Sequence, residues 1–367
     1  MRRISVILLV FLLWPALPGR AAAENMVWTN DQAMLLFFEA VTQIKKHGID
    51  SPSSGQITTD AIKAYMKQHD PYGSYLSPEE YRLWKQAQDY RYHGIGMEII
   101  ERDNRVYCLP HPKGPAWTAG VKQGDELLAV EGETVADRSL FWVGSRIRGR
   151  ENTTVHLTIR NSQGQLNLSI SRSPLKDTSV WPIPSEKFNI LRISHFSTRT
   201  FEEIKTVLHS ISDDKPLVLD LRNNPGGDLF AAVDIAGLFL DPGSKILTVN
   251  TNQDRTTYTA RGRLHTGKKI AVWQNRFTAS ASEVLIAGLT AHDAAISFGS
   301  TSYGKAMTQN VIELSDASAL IISRGSLSGP NGTSWQTRGL EPMVRIENPA
   351  ASWEQITYTT LKNEASF

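Results

Sequence analysis

The sequence predicts a mixed α/β (α+β) protein: a helical N-terminal section, a small domain of short strands, and a larger layer in which strands and helices alternate. Three observations carry this. Apolar residues recur at a helical period up to about residue 90, short alternating segments fill about 91–173, and strands alternate with helices from about 175 onward. The 367 residues are 41% hydrophobic and 21% charged, with a formal net charge of +2. That balance suits an ordinary globular chain, and the length allows two domains or so. No long basic run is present, so the electrostatic footprint of a nucleic-acid binder is missing.

The first residues bear on the compartment. Arg2 and Arg3 precede an apolar stretch from Ile4 to Leu17, and Ala21-Ala22-Ala23 follows before Glu24. The stretch is shorter than the about 20 residues of a membrane-spanning helix. Its layout is that of a secretory signal peptide, residues 1–23, cleaved after Ala23. The mature chain is then periplasmic or otherwise exported, touching a membrane only through an uncleaved signal. Cys108 is the one cysteine, so an internal disulfide is excluded, and its setting between Tyr107 and Leu109 suits a packed strand residue better than a nucleophile.

Residues 24–90 form the helical section. Met34 to Phe38, Val41 and Ile44 keep a helical period, and Ile62, Tyr65 and Met66 give a second, shorter face. Ser77-Pro78-Glu79-Glu80 starts a helix, with Ser as cap, Pro at the first position and Glu three residues on. The section is expected to pack on the catalytic part. Residues 91–173 open on Gly94-Ile95-Gly96-Met97 and continue through a strand at Glu98-Ile99-Ile100. The stretch Ala119-Gly120-Val121-Lys122-Gln123-Gly124-Asp125-Glu126-Leu127-Leu128 follows, and Val155 to Ile159 alternate cleanly. In 174–367 the buried-type strand Leu217–Leu221 leads through Asn224-Pro225-Gly226-Gly227 into a helix from Leu229 to Phe239. A strand at Ile270–Trp273 then leads into a helix from about Ala281 to Ala291, and Ala295–Phe298 is a further strand.

The common catalytic constellations are absent. No G-x-S-x-G supports an α/β-hydrolase elbow, and no H-E-x-x-H or paired-cysteine spacing suggests a metal. The nine histidines are scattered, His195 in an expected strand and His292 near a helix end. What stands out is Thr278-Ala279-Ser280-Ala281-Ser282-Glu283 at a strand-to-helix junction. A serine at a helix N-terminus meets unsatisfied N–H groups and the positive end of the helix dipole. Ser280 with Glu283 also matches S-x-x-E, an ordinary capping box, which the local sequence by itself favours. Lys305 follows the next strand in Ser302-Tyr303-Gly304-Lys305-Ala306, and a helix, a strand and a turn bring it back to the same end of the sheet as Ser280.

These residues together resemble the C-terminal processing, or tail-specific, peptidases of the serine–lysine type. The matching segments are Asp70 to Tyr81, the A-G-V-x-x-G-D-E-L-L stretch of a PDZ domain, Leu219 to Gly227, Thr278 to Glu283, Ser302 to Gln309, and Gly339-Leu340-Glu341-Pro342. The resemblance implies a crotonase-like (ClpP/crotonase-related) catalytic domain with an inserted PDZ-like domain. It implies Ser280 as nucleophile, Lys305 as base and Gln309 as the group that orients the lysine. Ala281 and either Gly226 or Gly227 would donate to the oxyanion. Gly94, Ile95, Gly96 and Met97 would cradle a terminal carboxylate while the adjacent strand edge takes the peptide as an extra strand. Arg148, in Ile147-Arg148-Gly149, would couple the PDZ domain to activity, although Arg146 and Arg150 make a generic basic edge an alternative. Ala306 stands where the family has glycine, and Met343 where it has aspartate.

The implied activity is endopeptidase cleavage of exported proteins with free C-terminal tails, with no cofactor or metal, and with an adaptor protein as a further partner. A catalytically silent PDZ scaffold is the alternative, disfavoured by the joint presence of serine, lysine and glutamine. A crotonase-like acyl-CoA enzyme is a third reading, opposed by the signal peptide. Substrate identity, oligomeric state and the choice between Gly226 and Gly227 stay open at this level.

Overall fold

Leu217, Leu219, Ile270 and Val272 turn to one face of a six-stranded sheet, while Val218, Ala271 and Trp273 turn to the other. Both faces are covered, and for that reason these strands read as unbroken apolar runs rather than as alternating ones. The order across the sheet is Val344–Arg345, Ala295–Gly299, Ile270–Gln274, Leu217–Asp220, Asn189–Ile193, Val180–Ile183. All neighbours are parallel except the last pair. On the first face lie the helices Thr200–Ser210, Leu229–Gly237 and Ala281–Thr290. The last of these is buried from Ala281 through Leu289, and its small residues let it sit inside the core. The C-terminal helix Trp353–Glu364 covers the other face through Trp353, Ile356 and Leu361, and Trp273 Nε1–H donates to Thr357 Oγ1 at 2.9 Å.

These observations come from a computed structural model that describes residues 29–50, 52–88, 94–174, 178–211, 214–262, 270–348 and 352–364. The signal-peptide reading of residues 1–23 falls outside them. No helix among the described residues is long and apolar enough to cross a membrane. The chain divides into two compact units, Met1–Ile62 and Lys63–Phe367. In the first, the helix Asn30–His47 is capped by Thr29, whose hydroxyl accepts from Gln32 N–H. Its expected apolar residues Met34, Leu35, Phe37 and Phe38 are exposed, and only Val41 is buried.

Everything that follows lies in the second unit. The helix Pro78–Gln88 starts as its sequence predicts, with Ser77 and Glu80 exchanging hydrogen bonds. A second sheet is wholly antiparallel and runs Met97–Arg102, Arg105–Pro110, Asp125–Val130, Thr154–Asn161, Gly164–Ser171. Its core holds Ile95, Val106, Cys108, Leu127, Val155, Leu157 and Ile159 beneath the helix Leu140–Ile147. Cys108 is fully buried, and that burial raises its thiol far above the ordinary range, as a packing residue requires. A third, antiparallel sheet includes Ser74–Leu76, Met307–Glu313 and Ala319–Ser328.

Candidate active site

The Gly-rich turn begins where the strand Leu217–Asp220 ends. Asp220 is buried and accepts from Arg222 Nε at 2.8 Å, Arg222 Nη2 at 2.7 Å and Arg192 Nη1 at 3.2 Å. These charge-assisted bonds fix the chain's exit from the sheet. Asn224 is fully buried; its amide donates to Ile193 O at 3.0 Å and its Oδ1 accepts from Gly226 N–H at 2.9 Å. Of the two glycines, Gly226 therefore has its N–H engaged, and Gly227 N–H has no acceptor among the described residues. Both adopt positive φ, 102° and 134°. A Cβ on Gly226 would stand 2.8 Å from Ser280 Cβ and 3.0 Å from Ala281 N, so only glycine permits this approach of the turn to Ser280.

Ser280 has φ 55° and ψ −117°, a conformation that non-glycine residues rarely hold. It stands immediately before the helix Ala281–Thr290, and Ala281 N–H has no acceptor among the described residues. The strained backbone is held by Glu283. Its Oε2 accepts from Ser280 N–H at 2.8 Å and Lys305 N–H at 2.9 Å. Its Oε1 accepts from Ser302 Oγ–H at 2.5 Å and Gly304 N–H at 2.7 Å. Burial pushes this carboxyl up to about 7 against the pull of all four donors. The S-x-x-E pattern is thus more than a helix cap: the same carboxylate fastens the Ser280 loop to the Lys305 turn.

Lys305 Nζ donates to Gln309 Oε1 at 2.8 Å, and Gln309 Nε2 donates to Tyr72 O at 2.5 Å. No hydrogen bond joins Lys305 Nζ to Ser280 Oγ in this conformation. Burial lowers the amine below the ordinary lysine range, while the charges of Asp70 and Glu283 oppose the shift. The ammonium also faces the Tyr72 ring, 5.3 Å from its centroid. Asp70 is occupied by Ser323, whose N–H and hydroxyl each donate at 2.7 Å. The segment from Asp70 to Gly73 is therefore the floor beneath Lys305 and Gln309. Ala306 is fully buried, and its N–H donates to Gln336 Oε1 at 2.7 Å, so its methyl group is accommodated.

Ile95 and Gly96 carry their N–H groups without partners among the described residues, while their carbonyls accept from Ala116 and His111 N–H. Gly94 pairs with Ser173, and Met97 begins the strand Met97–Arg102 at the edge of its sheet. That edge strand and its neighbour Arg105–Pro110 pack on the Ser280 region: Ile100, Tyr107 and Leu109 join Phe277, Ala279 and Tyr303 in one cluster. Tyr303 Oη–H, two residues before Lys305, donates to Glu101 O at 2.6 Å. Arg148 is the C-cap of the helix Leu140–Ile147. Beside it, Arg172, which the sequence reading passed over, organises this corner. It donates to Arg146 O and Ile147 O at 2.8 Å each and to Thr154 O at 2.9 Å. His195 falls just past the strand Asn189–Ile193 rather than within it.

Comparison with known proteins agrees with this architecture. Residues 187–346 match peptidase family S41, and residues 106–161 match the PDZ domain. A probable CtpA-like serine protease of Staphylococcus aureus is 31% identical over 328 residues, which is 87% of this chain and 66% of that protein. Its namesake in Staphylococcus haemolyticus is 29% identical over 304 residues, covering 81% and 61%. The chain thus spans about two thirds or less of the length of these relatives. The photosystem II D1 C-terminal processing protease has the same fold, with a TM-score of 0.68 at 24% identity over 87% of this chain and 94% of that one. A putative S41 protease from Bacteroides fragilis gives 0.51 at 14% identity, over 89% and 96%. On these matches and this fold, the chain belongs to peptidase family S41 and carries a PDZ domain.

Proposed function

We propose that this chain is an exported serine endopeptidase that captures free C-terminal tails on its PDZ domain and cuts with Ser280 and Lys305. The observation that carries this reading is the meeting of the Ser280 and Lys305 backbones on Glu283 Oε2, with the Lys305 amine withdrawn from water. A lysine is protonated at neutral pH unless its surroundings disfavour the charge. Burial does so here, which prepares Lys305 as a base.

In the reaction Lys305 Nζ takes the proton of Ser280 Oγ as the oxygen bonds to the scissile carbonyl carbon. The resulting oxyanion is held by Ala281 N–H and Gly227 N–H, which have no acceptors among the described residues and flank Ser280. Lys305 then gives its proton to the leaving amine; in the second half its neutral amine takes a proton from the attacking water and returns it to Ser280 Oγ as the acyl–oxygen bond breaks. Gln309, anchored on Tyr72 O, limits the directions open to the lysine. The tail adds to the edge strand Met97–Arg102, and its carboxylate rests on the N–H groups of Ile95 and Gly96. Arg148 is the candidate reporter of that event, residues 1–23 the export signal, and an adaptor a further partner.

The test is cleavage of an unstructured protein with a free apolar C-terminal tail, beside the same protein with its terminus amidated. The reading predicts cleavage of the first and at least about tenfold slower cleavage of the second. Binding of the free tail without cleavage would favour the silent scaffold.

A further inference from the structure

Away from Ser280 and Lys305, three side chains converge where the PDZ domain meets the peptidase body: Glu98, His111 and His195. One ligand atom from each lies within 4.8 Å of the others. His111 Nε2 is 3.4 Å from Glu98 Oε1. The two imidazole rings stack, with centroids 4.9 Å apart and planes 7° from parallel. Glu98 comes from the edge strand Met97–Arg102, and His111 directly follows the strand Arg105–Pro110. His195 comes from the body and precedes Phe196. The Phe196 N–H donates to Gly226 O, and Phe196 O accepts from Asp228 N–H, both at 2.9 Å, so His195 is one residue from the clasp on the Gly-rich turn.

Two features of this cluster point to a bound cation. His111 Nε2 is shut away from solvent and lacks a well-formed hydrogen bond, and a buried polar atom left so calls for an explanation, an absent ion among them. Ser194 Oγ lies 3.1 Å from His195 Nδ1, a side-chain support of the kind that orients metal-binding histidines.

We propose that Glu98, His111 and His195 form a zinc site that fastens the PDZ domain to the peptidase body beside the Gly226–Gly227 turn. Two imidazoles and one carboxylate are a donor set that zinc accepts, with a fourth position for water. Zinc–ligand bonds of about 2.0–2.1 Å set neighbouring donors about 3.3 Å apart. The Glu98–His111 pair already has that spacing; closing the widest gap takes at most about 1.5 Å, with one imidazole turning out of the present stack so that both ring planes meet at the ion. The donors stand on three distant stretches of sequence, which explains why no ligand-spacing motif announces them. Zinc binding itself is independent of the peptidase reading; only its effect on hydrolysis rests on that reading, a zinc-held PDZ domain being slower to admit a tail.

The test uses the mature chain stripped with EDTA, dialysed, and titrated with zinc sulfate against a chromophoric chelator. The wild type should take up one zinc per chain and melt at a higher temperature with zinc. His111→Gln and His195→Gln should each bind at least about tenfold more weakly, and the double variant should show no thermal shift. Metal-free melting curves establish that the variants fold; Glu98→Gln replaces any that does not. No stoichiometric uptake, or equal uptake by wild type and double variant, would overturn the proposal. Tail cleavage is followed in the same samples. Zinc uptake with no hydrolysis in any sample would count against the peptidase reading while leaving the zinc site standing.

Discussion

Ser280 and Lys305, separated in the chain by a helix and a strand, direct their backbone N–H groups to one atom, Glu283 Oε2, at 2.8 and 2.9 Å. Two nitrogens that share one acceptor in this way lie within about 6 Å of each other. The positive φ of Ser280 is held on one side by this carboxylate and on the other by the glycine turn at Gly226.

Glu283→Gln tests the carboxylate. All four hydrogen bonds that it accepts come from donors, two on each oxygen. An amide NH2 in place of Oε2 faces two backbone N–H donors and satisfies neither, and in place of Oε1 it leaves Gly304 N–H without an acceptor. One buried unsatisfied group costs about 1–3 kcal/mol, so denaturant unfolding should show a loss of about 2 kcal/mol or more. Hydrolysis should fall with it, because the Ser280 loop and the Lys305 turn come apart. Unchanged stability and rate would show that Glu283 is only a helix cap.

The glycine turn gives a graded prediction. A Cβ on Gly227 would stand 2.0 Å from Phe196 O, deeper in the backbone than any contact at Gly226, where the nearest atoms are 2.8 Å away. Both positions have positive φ. Gly227→Ala should therefore cost more stability than Gly226→Ala, each by more than the about 1 kcal/mol of an unstrained glycine change. Gly226→Ala, whose methyl presses on Ser280 and Ala281, should abolish cleavage in a chain that still melts cooperatively.

The pH dependence follows from Lys305. Its neutral form is the base, and burial lowers its pKa below the ordinary lysine value of about 10.4. The rate should rise with pH as the amine loses its proton and level off below that value. Lys305→Arg should be inactive across the range, because a guanidinium does not give up its proton. A rate in wild type still climbing near the ordinary lysine value would contradict the assignment.

Tyr303→Phe addresses the contact between PDZ strand and base turn. It removes one hydrogen bond, Tyr303 Oη–H to Glu101 O, and leaves the ring in its cluster with Phe277 and Ala279. The expected stability loss is about 1 kcal/mol. The ratio of cleavage rates on free and amidated tails should change as well, since the edge strand loses its tie to the Lys305 turn; a stability loss with that ratio unchanged would make the bond merely structural.

The layers of the fold were legible because each strand or helix carries its burial pattern locally. Leu217 to Leu221 and Ile270 to Trp273 read as buried strands, and Ser77 with Glu80 as a helix start, and all three form as expected. Spacing and resemblance singled out Ser280, Lys305 and Gln309, and the fold joins the last two by a hydrogen bond. Less visible were contacts between distant parts of the chain. Glu283 looked like a local cap because three of its four donors, from Ser302, Gly304 and Lys305, lie across a strand. Asp70 and Tyr72 meet Ser323 and Gln309 only after folding. Arg172 was hidden in the same way, as were Glu98, His111 and His195, whose positions carry no periodic signal. The helix Asn30–His47 has the expected period, yet most of its apolar residues are exposed; period alone does not say what a face meets.

The most direct measurement compares cleavage of the free-tailed protein by wild type, Ser280→Ala and Lys305→Ala, each purified identically and each tested with and without chelator. The account predicts cleavage by wild type in both conditions. It predicts rates lower by about 100- to 10,000-fold in Lys305→Ala, and no cleavage by Ser280→Ala. Equal cleavage by all three would contradict it and place the nucleophile elsewhere.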